Sequence, residues 1–261
     1  MNETYSTNKR WLRGVISFVV LLAIWQISYL LANFPATLYP PPLNVLHELI
    51  LLGKKGILLE YFLDSMLRLL IAASISFALS IPLGLILGYS SKIADMVLPF
   101  INFFQSIADM AWLPIVIFWL GYGTKTIILV VAYTVFFPVL FNTILGVKQV
   151  PKNMINAILV LGGTRKHVLF NILLPGAIPN IVTGIRVGVG YAFRSLIAGE
   201  MIAGTNGLGY MIFDAQRSSL TQRVVVGMIL MGIIWLVLDR FYLKPFEKAT
   251  IERWGMVEKA R

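Results

Sequence analysis

Residues 148–180 read KQVPKNMINAILVLGGTRKHVLFNILLPGAIPN, and the reading of this stretch decides the fold. It interrupts a chain otherwise made of apolar runs long enough to cross a bilayer. It does so with Lys148, Lys152, Arg165, Lys166 and His167. Gly162 and Gly163 separate two short segments of helical character, because glycine accepts the left-handed turn that ends a helix. Pro175 and Pro179 close the stretch. A helix, a glycine turn and a second helix make a rigid basic elbow, and such an elbow in a membrane chain is a docking surface for a soluble partner. The plainer alternative is an ordinary helix-loop-helix between two spans.

The composition around the elbow fixes the class. Of 261 residues, 58% are hydrophobic and only 13% charged, and the mean hydropathy is +0.81. Soluble domains run at about 45–50% apolar and about 25% charged. The chain therefore reads as an all-α polytopic membrane protein. Its net charge of +10 is what basic cytoplasmic loops give, and it does not call for nucleic acid. There is no cysteine, which excludes disulfides and cysteine-metal sites. His47 and His167 are the only histidines and stand far apart, which gives no basis for a metal centre.

Six spans are expected, at about 14–32, 61–89, 95–120, 126–147, 177–203 and 224–242, with a cytoplasmic loop at 148–176, all in one domain over 1–261. The first run is too long for a signal-peptide core and lacks a clear cleavage site. Pro40, Pro41 and Pro42 mark an extended loop, and 43–52 reads as an amphipathic helix too short to span. In the second span Asp64 and Arg68 stand at i,i+4, on one helix face, and are expected to pair. Gly84 with Gly88, and Gly184 with Gly188, give small-xxx-small faces for close helix contact. The third span carries Gln105, Asp109 and Pro114 within it. Gly123-Thr124-Lys125-Thr126 is a turn, since the full phosphate-binding pattern is absent.

Counting Lys and Arg gives the orientation. With the N-terminus inside, thirteen fall in inside segments, five outside, and Arg68, Arg186, Arg194 and Arg240 within spans. Both termini and the elbow are then expected in the cytoplasm.

The elbow resembles the cytoplasmic loop of ABC importer permeases, whose pattern is E-A-A-x3-G-x9-I-x-L-P. Ala157, Gly162, Ile172, Leu174 and Pro175 fall on it at the expected spacing, while Asn156 replaces the glutamate and Ile158 the second alanine. Pro40-Pro41-Pro42, Trp112-Leu113-Pro114, Gly184-Ile185-Arg186, Glu200-Met201-Ile202 and Gly207-Leu208-Gly209, in that order, resemble the nitrate/sulfonate/taurine branch. The resemblance covers nearly the whole chain and implies a type I importer membrane domain in the bacterial inner membrane. It implies two cytoplasmic ATPase subunits that hold ATP and magnesium, an extracytoplasmic binding protein, and a second permease copy, simplest as a homodimer. This chain would hold no cofactor and catalyse nothing. Asn156, Ala157, Gly162, Gly163, Arg165, Ile172, Leu174 and Pro175 are the expected ATPase-coupling residues. Related permeases carry neutral heterocycles such as a pyrimidine thiamine precursor or riboflavin, so the cargo stays open.

Asp109, Arg186, Arg194 and Glu200 are candidates for the translocation path, because an ionisable group inside a membrane marks a path or has a partner. Arg186 should lie about 15 Å along the fifth span, near mid-membrane, with Arg194 two turns further on. Arg194 stands where the resembling family more often has an uncharged residue. Facing the path, it would draw a small anion such as nitrate, a sulfonate, taurine or bicarbonate. For a neutral heterocycle, Trp112, Tyr191 and Phe193 would offer stacking faces instead. A membrane-embedded enzyme lacks its signatures here, since H-E-x-x-H and G-x-S-x-G are absent. A channel or secondary transporter would need broken helices and no ATPase.

Overall fold

An apolar run without breakers becomes a helix in lipid, because only there does each segment satisfy its own backbone N–H and C=O groups. A computed structural model describes residues 3–32 and 34–253, and it is made of helices and their connections, with no strand among those residues. The helices are α1 (Glu3–Ala32), α2 (Pro42–Lys54), α3 (Ile57–Tyr89), α4 (Ser91–Ser106), α5 (Leu113–Leu120) and α6 (Thr124–Gln149). They continue as α7 (Lys152–Val160), α8 (Arg165–Val168), α9 (Leu174–Ala203), α10 (Leu208–Arg217), α11 (Thr221–Val237) and α12 (Lys244–Arg253). A π-turn at Leu169–Leu173 joins α8 to α9, and another at Leu238–Leu243 joins α11 to α12.

Four helices are long and apolar enough to span: Ile57–Tyr89, Thr124–Gln149, Arg165–Ala203 and Thr221–Thr250. The expected third span differs. It is not one rod but α4 and α5, linked by a 3-10 turn at Asp109–Trp112 and bent by 85°. Pro114 does not cause the break; it sits in the first turn of α5, where a missing N–H is harmless. The chain leaves the helix earlier, at Ile107 and Ala108, both in extended or near-extended backbone. In α1 the described apolar stretch is Ile16–Leu31, inside the first expected span. Among the described residues five of the six expected spans are met by length and composition, counting the bent pair as one. One continuous helix runs from Arg165 to Ala203, so Ile172, Leu174 and Pro175 lie within it.

α6 is the axis of the bundle, packed along α3 on one side and α9 on the other. The two glycine faces make that possible. A Cβ on Gly84 would lie 2.6 Å from the Thr143 Cβ, and one on Gly184 would lie 2.7 Å from the Asn142 Cβ. Removing the side chain from one partner lets the backbones close, which is how helices associate where lipid supplies no hydrophobic drive. Large apolar side chains such as Phe18, Leu30, Leu70 and Leu79 stay exposed on the outer faces, as lipid contact allows.

The bundle has two distinct ends. At one, Gly88 meets Val147 and Gln149 accepts from Asn180, next to the elbow. At the other, Gly123 N–H donates to Ala203 O at 2.7 Å, and Arg68, Thr124, Glu200 and Asn206 converge.

Candidate functional site

The elbow is built by its glycines. α7 ends with Gly162 at φ +82°, its N–H donating to Leu159 O at 3.1 Å while Gly163 N–H donates to Ile158 O at 2.8 Å. That pair of bonds is a Schellman ending, and a left-handed residue is its requirement. Thr164 N–H then donates to His167 Nδ1 at 3.2 Å, which caps the start of α8. Ile155 and Ile158 of α7 pack on a core of Val147, Val150, Val168, Leu173 and Ala177, so the elbow is fastened to α6 and α9. Its other face is open: Val160 is 86% and Leu161 85% exposed, with Met154 and Phe170 also out. Asn156, Ala157, Gly162 and Arg165 lie on the exposed side, and Ile172 and Leu174 pack toward the core.

The four path candidates separate into three environments. Glu200 has no exposed surface. Its carboxylate accepts from Arg68 Nη1 at 2.7 Å, from the Ser65 hydroxyl at 2.8 Å and from Gly209 N–H at 2.9 Å. It fastens α3 to the end of α9 and faces no open space. Arg68 therefore takes Glu200, not Asp64 as the i,i+4 spacing suggested. Asp64 is linked to Arg68 only through the Asn206 side chain, which donates to Asp64 and accepts from Arg68.

Arg186 is also paired. Its Nε donates to Asp239 at 2.9 Å and its Nη1 to Glu247 at 2.6 Å. Glu247 also accepts from the Thr183 hydroxyl at 3.0 Å, and Lys244 lies 3.1 Å from Asp239. This cluster ties α9 to the charged end of the last helix.

Asp109 and Arg194 share a third setting. Both line a cavity of about 430 Å³ with Gln105, Tyr133, Tyr191 and Ser195. Asp109 Oδ1 accepts from Met110 N–H at 2.9 Å and its Oδ2 from the Thr134 hydroxyl at 2.8 Å. The Thr134 Oγ1 lies 3.0 Å from the Ser195 Oγ. Tyr133 donates to Phe104 O, which also accepts from the Ile107 N–H at the end of α4. Irregular backbone at membrane depth is tolerated where it lines a cavity, and the α4–α5 break does so. Among the described residues no salt bridge involves Asp109 or Arg194. Thr134 and Ser195 gave no signal in the sequence, where single hydroxyls in apolar helices are commonplace.

The family follows from comparison with known proteins. Residues 80–243 match the model of the binding-protein-dependent transport system inner membrane component. The chain belongs to that family. This permease is 33% identical over 240 residues to the nitrate import permease protein NrtB of Synechocystis sp., covering 88% of this chain and 86% of the relative. It is 32% identical over 228 residues to the taurine transport system permease protein TauC of Escherichia coli, covering 85% and 83%. In fold, the permease is similar to an inward-facing structure of the MetNI methionine ABC transporter, with a TM-score of 0.61 at 17% identity, covering 76% of this chain and 98% of that one. The branch that the sequence resembles is thereby shown, as is the helical ABC permease architecture.

Proposed function

We propose that this permease is the membrane subunit of an ATP-driven importer and carries a small oxyanion-bearing solute. The observation that carries the reading is the elbow, fastened by Ile155 and Ile158 yet presenting Val160 and Leu161 almost fully exposed. Apolar side chains held out on a rigid basic turn suit insertion into a cleft of a soluble partner. That partner is an ATPase dimer, which binds ATP and magnesium. Its closure pushes on α7 and, through α8 and the continuous helix to Ala203, moves the wall of the pocket. A binding protein delivers the solute at the end marked by Arg68 and Glu200, and a second copy of the chain completes the path. The elbow and both termini face the cytoplasm in the bacterial inner membrane, and the chain itself catalyses nothing.

The solute reading rests on Arg194, a guanidinium facing the cavity whose fork of donors suits an oxyanion. The relatives named for nitrate and taurine agree with it. The neutral-heterocycle alternative loses support from the geometry. Phe193 is buried against Trp235, with ring centroids 5.8 Å apart, Trp112 packs on Tyr133 within the core, and of the three stacking candidates only Tyr191 lines the cavity.

The test is ATP-dependent uptake in proteoliposomes holding the chain, its ATPase and the binding protein. Gly162→Val puts a β-branched residue at a left-handed position with open space around it. The variant should insert and assemble yet lose transport. Normal uptake by that variant would remove the elbow from the coupling step.

A further inference from the structure

We propose that the cavity between the α4–α5 break, α6 and α9 is a two-ended site that selects small organic zwitterions, holding the oxyanion at Arg194 and the ammonium group at Asp109. The inference rests on the permease reading above and assigns the specificity of its pocket.

Charge balance is the first argument. Arg194 and Asp109 line the same cavity, and among the described residues neither has an ion-pair partner. Three other arginines within the spanning helices, Arg68, Arg186 and Arg223, are paired. An unpaired charge at membrane depth is costly and marks a functional position. A bare oxyanion drawn to Arg194 meets the carboxylate in the same space, and at comparable distances the two Coulomb terms cancel. A ligand that carries both charges satisfies both residues.

Geometry is the second. Asp109 is held by the Met110 N–H and the Thr134 hydroxyl, one on each carboxylate oxygen. A carboxylate offers about four acceptor positions, so two remain to receive an ammonium group. Thr134 in turn touches Ser195, the residue next to Arg194 on α9. A polar string thus runs from the broken helix to the helix that bears the guanidinium. Tyr133 and Tyr191 line the same cavity and offer apolar ring surface to a short carbon chain.

Size and depth agree. A volume of about 430 Å³ falls in the range of sites that take organic ligands, roughly 300–1,000 Å³. Thr134 lies ten residues into α6 and Ser195 eight residues before the end of α9, which is about 12–15 Å from those helix ends at 1.5 Å per residue. That is about half of a ~30 Å hydrocarbon core.

The experiment measures direct binding to the full-length chain assembled with its ATPase and without the binding protein, so that selection during delivery plays no part. The probes are 2-aminoethanesulfonate against ethanesulfonate, and β-alanine against propionate, each pair differing by the amino group. In at least one pair the amino compound should bind ten-fold or more tightly. Asp109→Asn keeps an acceptor for the Met110 N–H and should erase that preference while sparing the residual anion binding. Arg194→Gln should weaken both members of the pair. Equal binding within both pairs, a preference that survives Asp109→Asn, or no binding of any probe overturns the inference. ATP-dependent uptake is read separately in proteoliposomes. Its absence from the unaltered complex would strike the importer reading, whereas intact uptake without amino preference strikes only the two-ended site.

Discussion

Arg68 on α3 and Glu200 on α9 meet at 2.7 Å with 3% and 0% of their side chains exposed. The pair does not stand alone. Leu208 N–H donates to the Ser65 hydroxyl at 2.9 Å, and Arg68 Nη1 donates to Asn206 O at 2.8 Å, so the connection after α9 is wrapped around it. Gly207, at φ +107°, is required there: a Cβ would lie 2.5 Å from Glu200 Oε1. Removing one partner leaves a buried charge without compensation, which costs about 3–5 kcal/mol. Glu200→Ala should therefore lower the thermal unfolding midpoint of the detergent-solubilised protein far more than Arg68→Met with Glu200→Leu together. Equal or greater loss in the double variant would mean that the ion pair itself, and not its completeness, holds this end.

The glycine faces on α6 predict an opposite kind of damage. Gly84→Val must push against Thr143, and overpacking of this sort costs about 1–3 kcal/mol. Gly232→Val on α11 meets nothing within 4 Å and should stay within about 0.5 kcal/mol of the unaltered protein. Thermal unfolding of both variants, side by side, separates close helix contact from a general intolerance of side chains in the bundle.

The Arg186 cluster should be weaker than its two ion pairs suggest. Arg186 keeps 29% of its side chain exposed and Lys244 56%, so solvent screens both and each pair contributes about 1 kcal/mol or less. Glu247→Gln should leave the midpoint almost unchanged and instead raise hydrogen exchange in α12, which this carboxylate fastens to Thr183 and Arg186. A large fall in overall stability would show that the last helix is part of the bundle core.

Which features were legible in the sequence follows from how local their causes are. The long helices are legible because an apolar run in lipid has no alternative to helix, and the glycine faces because period-four spacing is local. The elbow is legible because a left-handed turn needs glycine. The break in the third span is not, because Ile107 and Ala108 carry no turn chemistry. The contact found there is tertiary: Tyr133 on α6 donates to the Phe104 carbonyl. The partner of Glu200 is hidden for the same reason, since it lies 132 residues away and is seen only when α3 and α9 are brought together. Asp64, four residues from Arg68, is local and visible, and the intervening Asn206 is neither. Of the path candidates, Asp109 and Arg194 come together in one cavity, while Arg186 and Glu200 find partners elsewhere.

Orientation is the last prediction, and the absence of cysteine makes it clean. The helix from Arg165 to Ala203 has 39 residues, about 58 Å at 1.5 Å per residue, so the elbow and the 204–207 connection lie on opposite sides of any bilayer that it crosses. Asn156 and Thr205 are both exposed, one at each end. If the basic elbow is cytoplasmic, Thr205→Cys in intact cells reacts with a membrane-impermeant maleimide, and Asn156→Cys reacts only after permeabilisation. Neither change removes a buried contact, so both variants should insert and fold, and Thr205→Cys, away from the docking face, should retain transport. The reverse labelling pattern would place the elbow outside the cell, away from any ATPase, and the coupling role proposed for Gly162 would fall with it.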